Sequence, residues 1–407
     1  MKKKITALAA ALFAVLCAAL VLQSCSAKKE WTQDGLRFSL EGGALTVSGE
    51  GEVTAPEALY DGDPEDAPPV ETLILGPGVT GFGNGVLANF GQLRAITAAE
   101  DNPYLTSVDG VLFDREMTAL LRYPPAKSGA AYRVPESVTH IGPDGFFGCL
   151  ALREVSLPEG LCAIGDNAFN GCESLSQAAL PESLTELGTS AFAGCHGLTE
   201  VRIPAGLTEI GDGAFQNCAG VTAFTVAEGN LSYYSADGVL FRWKENVLVQ
   251  FPNGSGLTEY TVPERVTEIG DGAFYHNAAL TEVTFPDSLK RIGKFAFSGC
   301  GALRRVTLPD SVYSIDTFGF AHCASLSEVR LGKFCRVVGV QAFFNCPKLL
   351  TLEVPENVEM IGSGAFGYKA LFGKNRFVDG FRIRCAEGSA AQSYAEKHGI
   401  RYELAKE

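Results

Sequence analysis

The side chains with the widest chemical scope in this 407-residue sequence are its twelve cysteines and five histidines. Cysteines form disulfides, bind zinc, or act as nucleophiles beside a histidine. One cysteine position, however, recurs through a regular pattern, as Cys149, Cys172, Cys195, Cys218, Cys300, Cys323 and Cys346. Stacked units would point these side chains the same way, so we expect a ladder of buried free thiols and no disulfides. Cys162, Cys335 and Cys385 fall outside the ladder, and the sequence assigns them no role.

The sequence gives little support for a catalytic or a metal-binding site. The close C-x-x-C pairs of zinc sites are absent from the sequence. His196 follows Cys195 and His322 precedes Cys323, but neighbours in sequence seldom pair in space, and the repeat already accounts for these cysteines. No Gly-x-Ser-x-Gly elbow, phosphate-binding loop or metalloprotease helix occurs. The sequence therefore predicts no catalytic residues, no metal and no cofactor.

The first residues indicate export. Three lysines precede an apolar run from Ile5 to Leu22, which is the order of a signal peptide, here 1–24. Leu22-Gln23-Ser24-Cys25 resembles a bacterial lipobox, which predicts cleavage before Cys25 and attachment of lipid to its thiol. A plain secretory signal and an uncleaved membrane span are the alternatives. Each of them places the rest of the chain beyond a membrane, at the cell surface or the outer face of the envelope.

The net charge of the chain argues against one class of partner, nucleic acid. The formal net charge is −14, and loss of the signal peptide removes three further lysines. An acidic chain without a basic block is a poor candidate for nucleic acid, which we exclude as a partner.

A 23-residue repeat organises most of the chain. Prolines at this spacing are Pro135, Pro158, Pro181 and Pro204, then Pro263, Pro286 and Pro309. A phenylalanine follows each of these prolines by eleven residues, as in Phe146 and Phe169, and the ladder position follows that phenylalanine by three. Such periodicity is the signature of a solenoid, and we place about twelve units in 70–377.

Two units are longer than the others by the same insert. Near 99–134 and 227–262 the spacing is 36 residues, and both units contain the string Asp-Gly-Val-Leu-Phe, at 109–113 and 237–241. A polar turn and a second apolar run follow each string. We therefore expect each 13-residue insert to form a hairpin that projects from the repeat.

The pattern within a unit predicts its architecture. Apolar residues at the first, fourth and sixth places of Leu152–Leu157 indicate a short strand with its apolar side inward, and a proline ends it. Neighbouring units then form one parallel sheet, and Ala-Phe-x-x-Cys forms a short helical turn. Before the repeats, 25–69 holds the lipidated end, a hairpin cap near 36–47 and an acidic, proline-rich loop. After them, 378–407 is a C-terminal cap in which Ser389 begins a short helix that ends at Gly399.

Strings such as LREVSLPEGLCAIGDNAFNGC, from Leu152 to Cys172, resemble the BspA-like leucine-rich repeat of bacterial surface proteins. The resemblance covers about three-quarters of the chain. It implies a curved leucine-rich-repeat solenoid with a parallel β-sheet face and, for some members, adhesion to host or bacterial proteins. It brings no catalytic residues.

The solvent side of the repeat strands is the predicted binding strip. Acidic residues dominate the third strand place, and hydroxyl and arginine side chains are frequent in the fifth. The candidate strip residues are Glu154, Glu200, Arg202, Glu259, Thr261, Glu282, Thr284, Arg305, Glu328 and Arg330. Concave repeat surfaces usually bind the ligands of solenoids, so we expect a protein or glycan partner there. A structural lipoprotein of the envelope is the second hypothesis and an enzyme a distant third. Ligand identity, oligomeric state and the choice between strip and inserts stay open.

Overall fold

The computed structural model describes residues 28–54, 69–83, 85–371 and 374–405. The predicted signal peptide, Cys25 and nearly all of the acidic loop lie outside this part of the chain. The described residues form a parallel β-solenoid of about 14 turns with very little helix, which confirms the predicted fold class. No helix within them is long and apolar enough to cross a membrane.

Each rung of the solenoid contributes to two parallel sheets. In one rung Val155 is buried between exposed Glu154 and Ser156, and this strand pairs with Ala131–Arg133 of the preceding rung. A second strand of only two residues, Ala163–Ile164, pairs with the rungs on both sides. We call the sheet with Glu154–Ser156 the front sheet and the sheet with Ala163–Ile164 the rear sheet. The single sheet expected from the sequence is thus one of two.

The front sheet is built from three-residue to six-residue strands. They are Lys29–Gln33, Leu36–Glu41, Ala44–Gly49, Thr72–Leu75, Ala95–Ala98, Ala131–Arg133, Glu154–Ser156, Glu200–Ile203, Ala223–Val226, Glu259–Thr261, Glu282–Thr284, Arg305–Thr307, Glu328–Arg330, Thr351–Glu353, Arg382–Cys385 and Arg401–Leu404. Pairing is parallel except between the first three strands, which form antiparallel hairpins.

Most rear-sheet strands are shorter. They are Gly51–Val53, Val79–Phe82, Leu105–Val108, Val111–Asp114, Ala119–Arg122, His140–Ile141, Ala163–Ile164, Glu186–Leu187, Glu209–Ile210, Tyr233–Ala236, Val239–Arg242, Val247–Gln250, Glu268–Ile269, Arg291–Ile292, Ser314–Ile315, Val337–Val338 and Met360–Ile361. One further hairpin joins Tyr368–Leu371 to Lys374–Phe377. Short 3₁₀ turns span Leu87–Asn89, Lys244–Asn246 and Asn253–Ser255.

The short helical turn predicted at Ala-Phe-x-x-Cys is wrong in detail. The Phe169 amide donates to the Ala191 carbonyl of the next rung at 2.7 Å, whereas the Asn170 amide donates to Asn167 at 3.0 Å. Bonds alternate between rungs and i→i−3 turns, so the i→i−4 ladder of an α-helix never starts. The cause is a left-handed residue two places before each core phenylalanine, such as Asn167 with φ 54°. Phe295 and Phe318 occupy the same position, at φ 54° and 57°, although bulky side chains rarely adopt this conformation.

Core phenylalanines stack along the solenoid axis. The rings of Phe146, Phe169 and Phe192 lie 4.7 and 4.8 Å apart and within 7° of parallel. This separation matches the spacing of paired strands, about 4.8 Å, because each ring occupies the same place in its rung. The Phe274–Phe297 and Phe297–Phe320 pairs repeat the arrangement at 4.6 and 4.9 Å.

The cysteine ladder lies beside these rings. All seven ladder cysteines are buried and unpaired, as expected. The Cys172 thiol donates to the Phe146 carbonyl at 3.1 Å, and Cys195, Cys218 and Cys300 repeat this bond at 3.1 to 3.2 Å. Burial raises the pKa of Cys218 to about 12, so the thiol stays protonated and acts as a small apolar side chain with one satisfied donor.

The two inserts do not project, contrary to the expectation. Asp109 and Gly110 form a left-handed pair, with φ 50° and 77°, that joins Leu105–Val108 to Val111–Asp114 as a two-residue hairpin turn. Val111, Leu112 and Phe113 are completely buried. Three consecutive apolar residues are buried because both faces of this strand contact core, whereas a projecting hairpin would expose one face.

These insert strands divide the hydrophobic core into three blocks. Leu112 packs in an N-terminal block with residues from Leu36 onward, while its neighbours Val111 and Phe113 pack in the middle block. In the second insert, Leu240 packs in the middle block, whereas Val239 and Phe241 pack in the C-terminal block that extends to Ile400. Alternation of side chains along one strand thus makes each insert a wall between two cores.

The front sheet is interrupted at the same two places. The Ile96 amide donates to Gly110 at 2.9 Å and the Phe224 amide to Gly238 at 2.8 Å, so an insert turn replaces the next front strand. A Cβ on either glycine would come within 3.1 Å of Ala95 or Ala223, which explains the need for glycine at this close approach.

Both ends of the solenoid are covered. The hairpin Leu36–Glu41 with Ala44–Gly49 stacks on Thr72–Leu75. At the other end lies the helix Ala390–His398, where Ser389 accepts the Gln392 amide and Gly399 ends the helix at φ 67°. The helix packs Tyr394 and Ala395 into the C-terminal block.

Phe192→Ala should destabilise the middle block by about 3–5 kcal/mol, because truncation of a buried aromatic side chain leaves a cavity between its neighbours. Phe192 is 1 % exposed and lies between Phe169 and Phe215. Denaturant unfolding measures the loss, and amide hydrogen exchange locates it within 111–240. The matched control is Phe334→Ala, at 62 % exposure, which should change stability by less than about 0.5 kcal/mol. Equal loss of amide protection in 239–400 would contradict the division into blocks.

Thiol reactivity provides a second test, in a chain that begins at Ala27. Cys162 is only partly buried, so it should react at once with a thiol reagent under native conditions. The other described cysteines should react only on unfolding, and Cys162→Ser should abolish the fast phase. Because unfolded thiols ionise near pH 9 and buried Cys218 and Cys300 near 12, the free energy of unfolding should also fall as pH rises above about 9. Disulfides among ladder cysteines in a peptide map would refute the packing.

Candidate binding surface

All ten strip residues lie on front-sheet strands, and all are exposed. Alternation places them outside, because the residue between two of them, such as Val201 between Glu200 and Arg202, faces the core. The structure does not bring the ten together as one strip. Three belong to the middle block, namely Glu154, Glu200 and Arg202, and the other seven follow the second insert in the C-terminal block.

Charges on the C-terminal part of the strip begin with a like-charged pair. Glu259 and Glu282 are direct neighbours on paired strands, and Thr261 faces Thr284 beside them. Two rungs further on, Arg305 pairs with Glu328 at 3.1 Å. Arg330 contacts Asp310 at 3.2 Å from the turn of the preceding rung. The surface therefore passes from an acidic end to a mixed end over a few rungs.

The strip continues into the C-terminal cap, beyond the ten candidate residues. Arg382–Cys385 pairs in parallel with Thr351–Glu353, and Arg401–Leu404 pairs with Arg382–Cys385. Exposed Arg382 and Arg384 contact Glu403 at 2.6 and 3.3 Å. These strands lack the 23-residue spacing, so periodicity could not place them in the sheet.

Two shallow depressions flank Arg330. The first, of about 310 Å³, is lined by strip residues Glu282, Thr284 and Arg305 together with Asp287 from the adjacent turn. Four of the ten candidates, counting Arg330, thus share one concavity. The second, of about 610 Å³, is lined by Arg330, Lys333, Phe334, Glu353 and Glu356, with further apolar contacts from Val329, Leu331 and Pro355.

Phe334 is the least expected residue of this surface. Its place in the repeat holds serine in the two preceding rungs, where Ser288 and Ser311 donate to carbonyls of the rung before at 2.7 and 2.6 Å. The side chain of Phe334 cannot donate such a hydrogen bond, and it is 62 % exposed. The fold does not require a phenylalanine here, and the departure from the repeat was the signal that could have identified it.

No cysteine–histidine pair forms at the two places where sequence neighbours suggested one. The Cys195 and Cys323 thiols both donate to phenylalanine carbonyls, at 3.2 Å. His322 Nδ1 instead lies 3.1 Å from the side-chain Nδ2 of Asn345, and burial lowers the pKa of His322. These thiols lack the neighbouring base that would activate them.

A carboxylate cluster on the rear sheet is neutralised by an arginine. Arg291 contacts Glu268, Asp271 at 3.3 Å and Asp316 at 2.5 Å, and all four side chains are largely buried. Burial raises the pKa of Glu268 and Asp271, and the guanidinium opposes this effect. Across the described ranges no group of histidine, cysteine and acidic side chains is arranged to hold a metal ion.

Comparison with known proteins supports the architecture. The family model described as BspA type leucine rich repeat region matches residues 129–236 and 249–371 in six copies. The solved structure of the pneumococcal vaccine antigen PcpA is similar, with 18 % identity, a TM-score of 0.55, and coverage of 94 % of this chain and 100 % of that one. A leucine rich cell surface protein from Faecalibacterium prausnitzii has 17 % identity and a TM-score of 0.49, covering 94 % of this chain and 96 % of that one.

Comparison with curated proteins gives no match. At 18 % identity the PcpA structure shows a shared fold, whereas the family model matches more than half of the residues. The chain therefore belongs to the BspA-type leucine-rich repeat proteins.

Proposed function

We propose that the chain is an extracytoplasmic binding module that holds a protein partner on the front sheet of its C-terminal block. The observation that carries the proposal is the pair of depressions around Arg330, bordered by exposed Phe334. Arginine and aromatic side chains are the residue types that most often supply binding energy at the centre of protein interfaces. A strictly structural rung would need neither.

The dimensions of the surface favour a protein partner. Seven front strands from Glu259–Thr261 to Arg401–Leu404, spaced by about 4.8 Å, extend over roughly 30 Å. A specific interface needs about 800 Å² on each partner, so a partner would contact the turns that border the sheet, including Phe334, as well as the strands. The acidic pair Glu259 and Glu282 at one end, and the mixed charges near Arg330 at the other, would orient the partner along the sheet.

A position outside the cytoplasm follows from the family and from the N-terminal residues. The neighbour from Faecalibacterium prausnitzii is named a cell surface protein and PcpA a vaccine antigen, which suggests the same location for this chain. We infer that lipid on Cys25 holds the protein to the membrane and that the solenoid extends outward from it. Family members of this kind bind or support other molecules, so catalysis has no place in the proposal.

Changing the surface around Arg330 should weaken binding of the partner without unfolding the protein. The test variant combines Phe334→Ser, which restores the residue of the neighbouring repeats, with Arg330→Glu. We expect the dissociation constant of a partner isolated with the wild-type protein from envelope or matrix extracts to rise at least about tenfold. Isothermal titration calorimetry measures the affinity, and circular dichroism checks the fold.

A matched control exists beside the rear sheet of the same block. Tyr313→Ser with Arg336→Glu also removes one exposed aromatic ring and one arginine that has a single exposed ion pair, here with Glu359 at 3.4 Å. This variant should bind as the wild type does. Loss of binding in the control together with retention in the test variant would move the site to the rear side.

The anchor is tested by lipid labelling. Radiolabelled palmitate supplied to cells should enter the wild-type protein but not Cys25→Ala, because the thiol of Cys25 is the predicted acceptor. The variant should also accumulate as an uncleaved precursor. Cys17→Ala is the control and should be labelled normally, and label retained in Cys25→Ala would exclude the lipobox.

A further inference from the structure

The second insert and the rung after it form a surface cluster of two aromatic rings and an arginine. The ring centroids of Tyr234 and Trp243 lie 4.0 Å apart, and the Arg265 guanidinium lies 5.1 and 5.4 Å from these two centroids. Trp243 is 45 % exposed. We call Tyr234, Trp243 and Arg265 the aromatic–arginine platform. Tyr234 also stacks on buried Phe241 at 5.0 Å, which joins the platform rigidly to the core.

The first insert shows that the fold does not require the platform. Both inserts share the same backbone geometry, since the backbone amide of Arg115 donates to the Tyr104 carbonyl at 2.9 Å and the backbone amide of Trp243 donates to the Ser232 carbonyl at 2.9 Å. Counted from the common Asp-Gly-Val-Leu-Phe string, the first insert has Thr106, Arg115 and Ser137 where the second has the three platform residues. The platform is therefore an addition to a scaffold that folds without it.

Arg265 is held by the rings and not by a carboxylate. Its place in the repeat is the one where Ser137 and Ser288 donate to carbonyls of the preceding rung. Among the described residues no acidic side chain lies within ion-pair distance of Arg265, although most arginines on this acidic surface have one, such as Arg305 with Glu328. A cation close to aromatic rings is attracted by their π-electrons, and a guanidinium carries five N–H donors with which it can bind an anion.

The basic residues beside Trp243 are paired, unlike Arg265. Arg242 and Lys244 adjoin Trp243 in sequence, in a chain of formal net charge −14. Glu245 is shared between Arg242 and Lys244, each at 3.6 Å. Arg265 thus carries a positive charge that has no ion pair among the described residues, and this charge is complementary to a single anionic group.

We propose that the aromatic–arginine platform binds a carboxylate-bearing sugar residue of an acidic glycan, with the sugar ring against Trp243 and the carboxylate on Arg265. A guanidinium edge accepts a carboxylate with two parallel hydrogen bonds. Three side chains at one hairpin end cover far less than the roughly 800 Å² of a protein interface, whereas they suit one pyranose ring. The site is separate from the front-sheet surface, and neither proposal rests on the other.

Tryptophan fluorescence reports on this site directly, because the sequence has only two tryptophans, Trp31 and Trp243. Trp31→Phe keeps a ring to stack on Phe38 and leaves Trp243 as the single reporter. In this background, trigalacturonate should change the fluorescence saturably. The fully methyl-esterified trisaccharide has the same rings without the charge and should bind at least about tenfold more weakly, since charge-assisted hydrogen bonds are lost.

Variants assign the contacts. Arg265→Ala should weaken binding of trigalacturonate at least about tenfold. The affinity of Arg265→Lys should lie between those of Arg265 and Arg265→Ala, because lysine keeps the charge but lacks the planar guanidinium. Arg115→Ala, in the equivalent place of the first insert, should leave binding unchanged. Circular dichroism and the thermal midpoint should be the same for all four proteins, which separates loss of a contact from loss of fold.

Three results with the trisaccharides would overturn the proposal. They are equal affinity for the acid and its methyl ester, unchanged affinity in Arg265→Ala, and no saturable signal up to about 10 mM trisaccharide. A glutamate-rich peptide that displaces trigalacturonate and binds more tightly would likewise overturn it, in favour of a protein ligand at the platform.

Discussion

Stacking of side chains between neighbouring rungs is the interaction on which the whole structure depends. A single 23-residue rung has too few apolar residues to bury a core, so each phenylalanine finds its packing surface only on the rungs before and after it. Rings 4.7 to 4.8 Å apart, as at Phe146, Phe169 and Phe192, show this dependence in its simplest form. The inward positions are consequently fixed by their neighbours, and the outward ones are left to vary.

Inward residues were predictable from the sequence because the stacking constraint copies them into every rung. The solenoid, the buried ladder of which Cys195 is a member, and the helix between Ser389 and Gly399 all rest on strong local or periodic signals, and the structure confirms them. The rear strands carry the periodic signal at a single aliphatic residue, such as Ile164, which predicts burial but not a strand. A strand of two residues, such as Ala163–Ile164, shows no alternation, and its hydrogen bonds come entirely from other rungs.

The buried position of the inserts could not be predicted from the sequence, because it too depends on neighbouring rungs. The apolar runs correctly predict a hairpin, but the sequence of one strand does not show that both of its faces will contact a core. Leu112 and Leu240 acquire their neighbours only when the blocks on either side are in place. The binding strip is also predicted only in part. Alternation correctly predicts that Glu200 and Arg330 are exposed, but it does not predict the break in the front sheet between them. Residues that depart from the repeat, such as Phe334 and Trp243, are the sequence signal from which these exposed aromatic side chains could have been predicted.

The walls between the blocks bear on how such a chain reaches one structure. Rungs of similar sequence are interchangeable, so a strand displaced by one whole unit would find nearly the same partners, and such a displacement is the natural folding error of a repetitive chain. Hairpins closed by Asp-Gly form from residues close in sequence, within microseconds, and resemble none of the 23-residue rungs. A displaced chain would have to place Leu240 and Phe241 against rungs that lack matching cavities. The two inserts therefore fix the alignment of the rungs beside them, and they confine any misalignment to the rungs of one block.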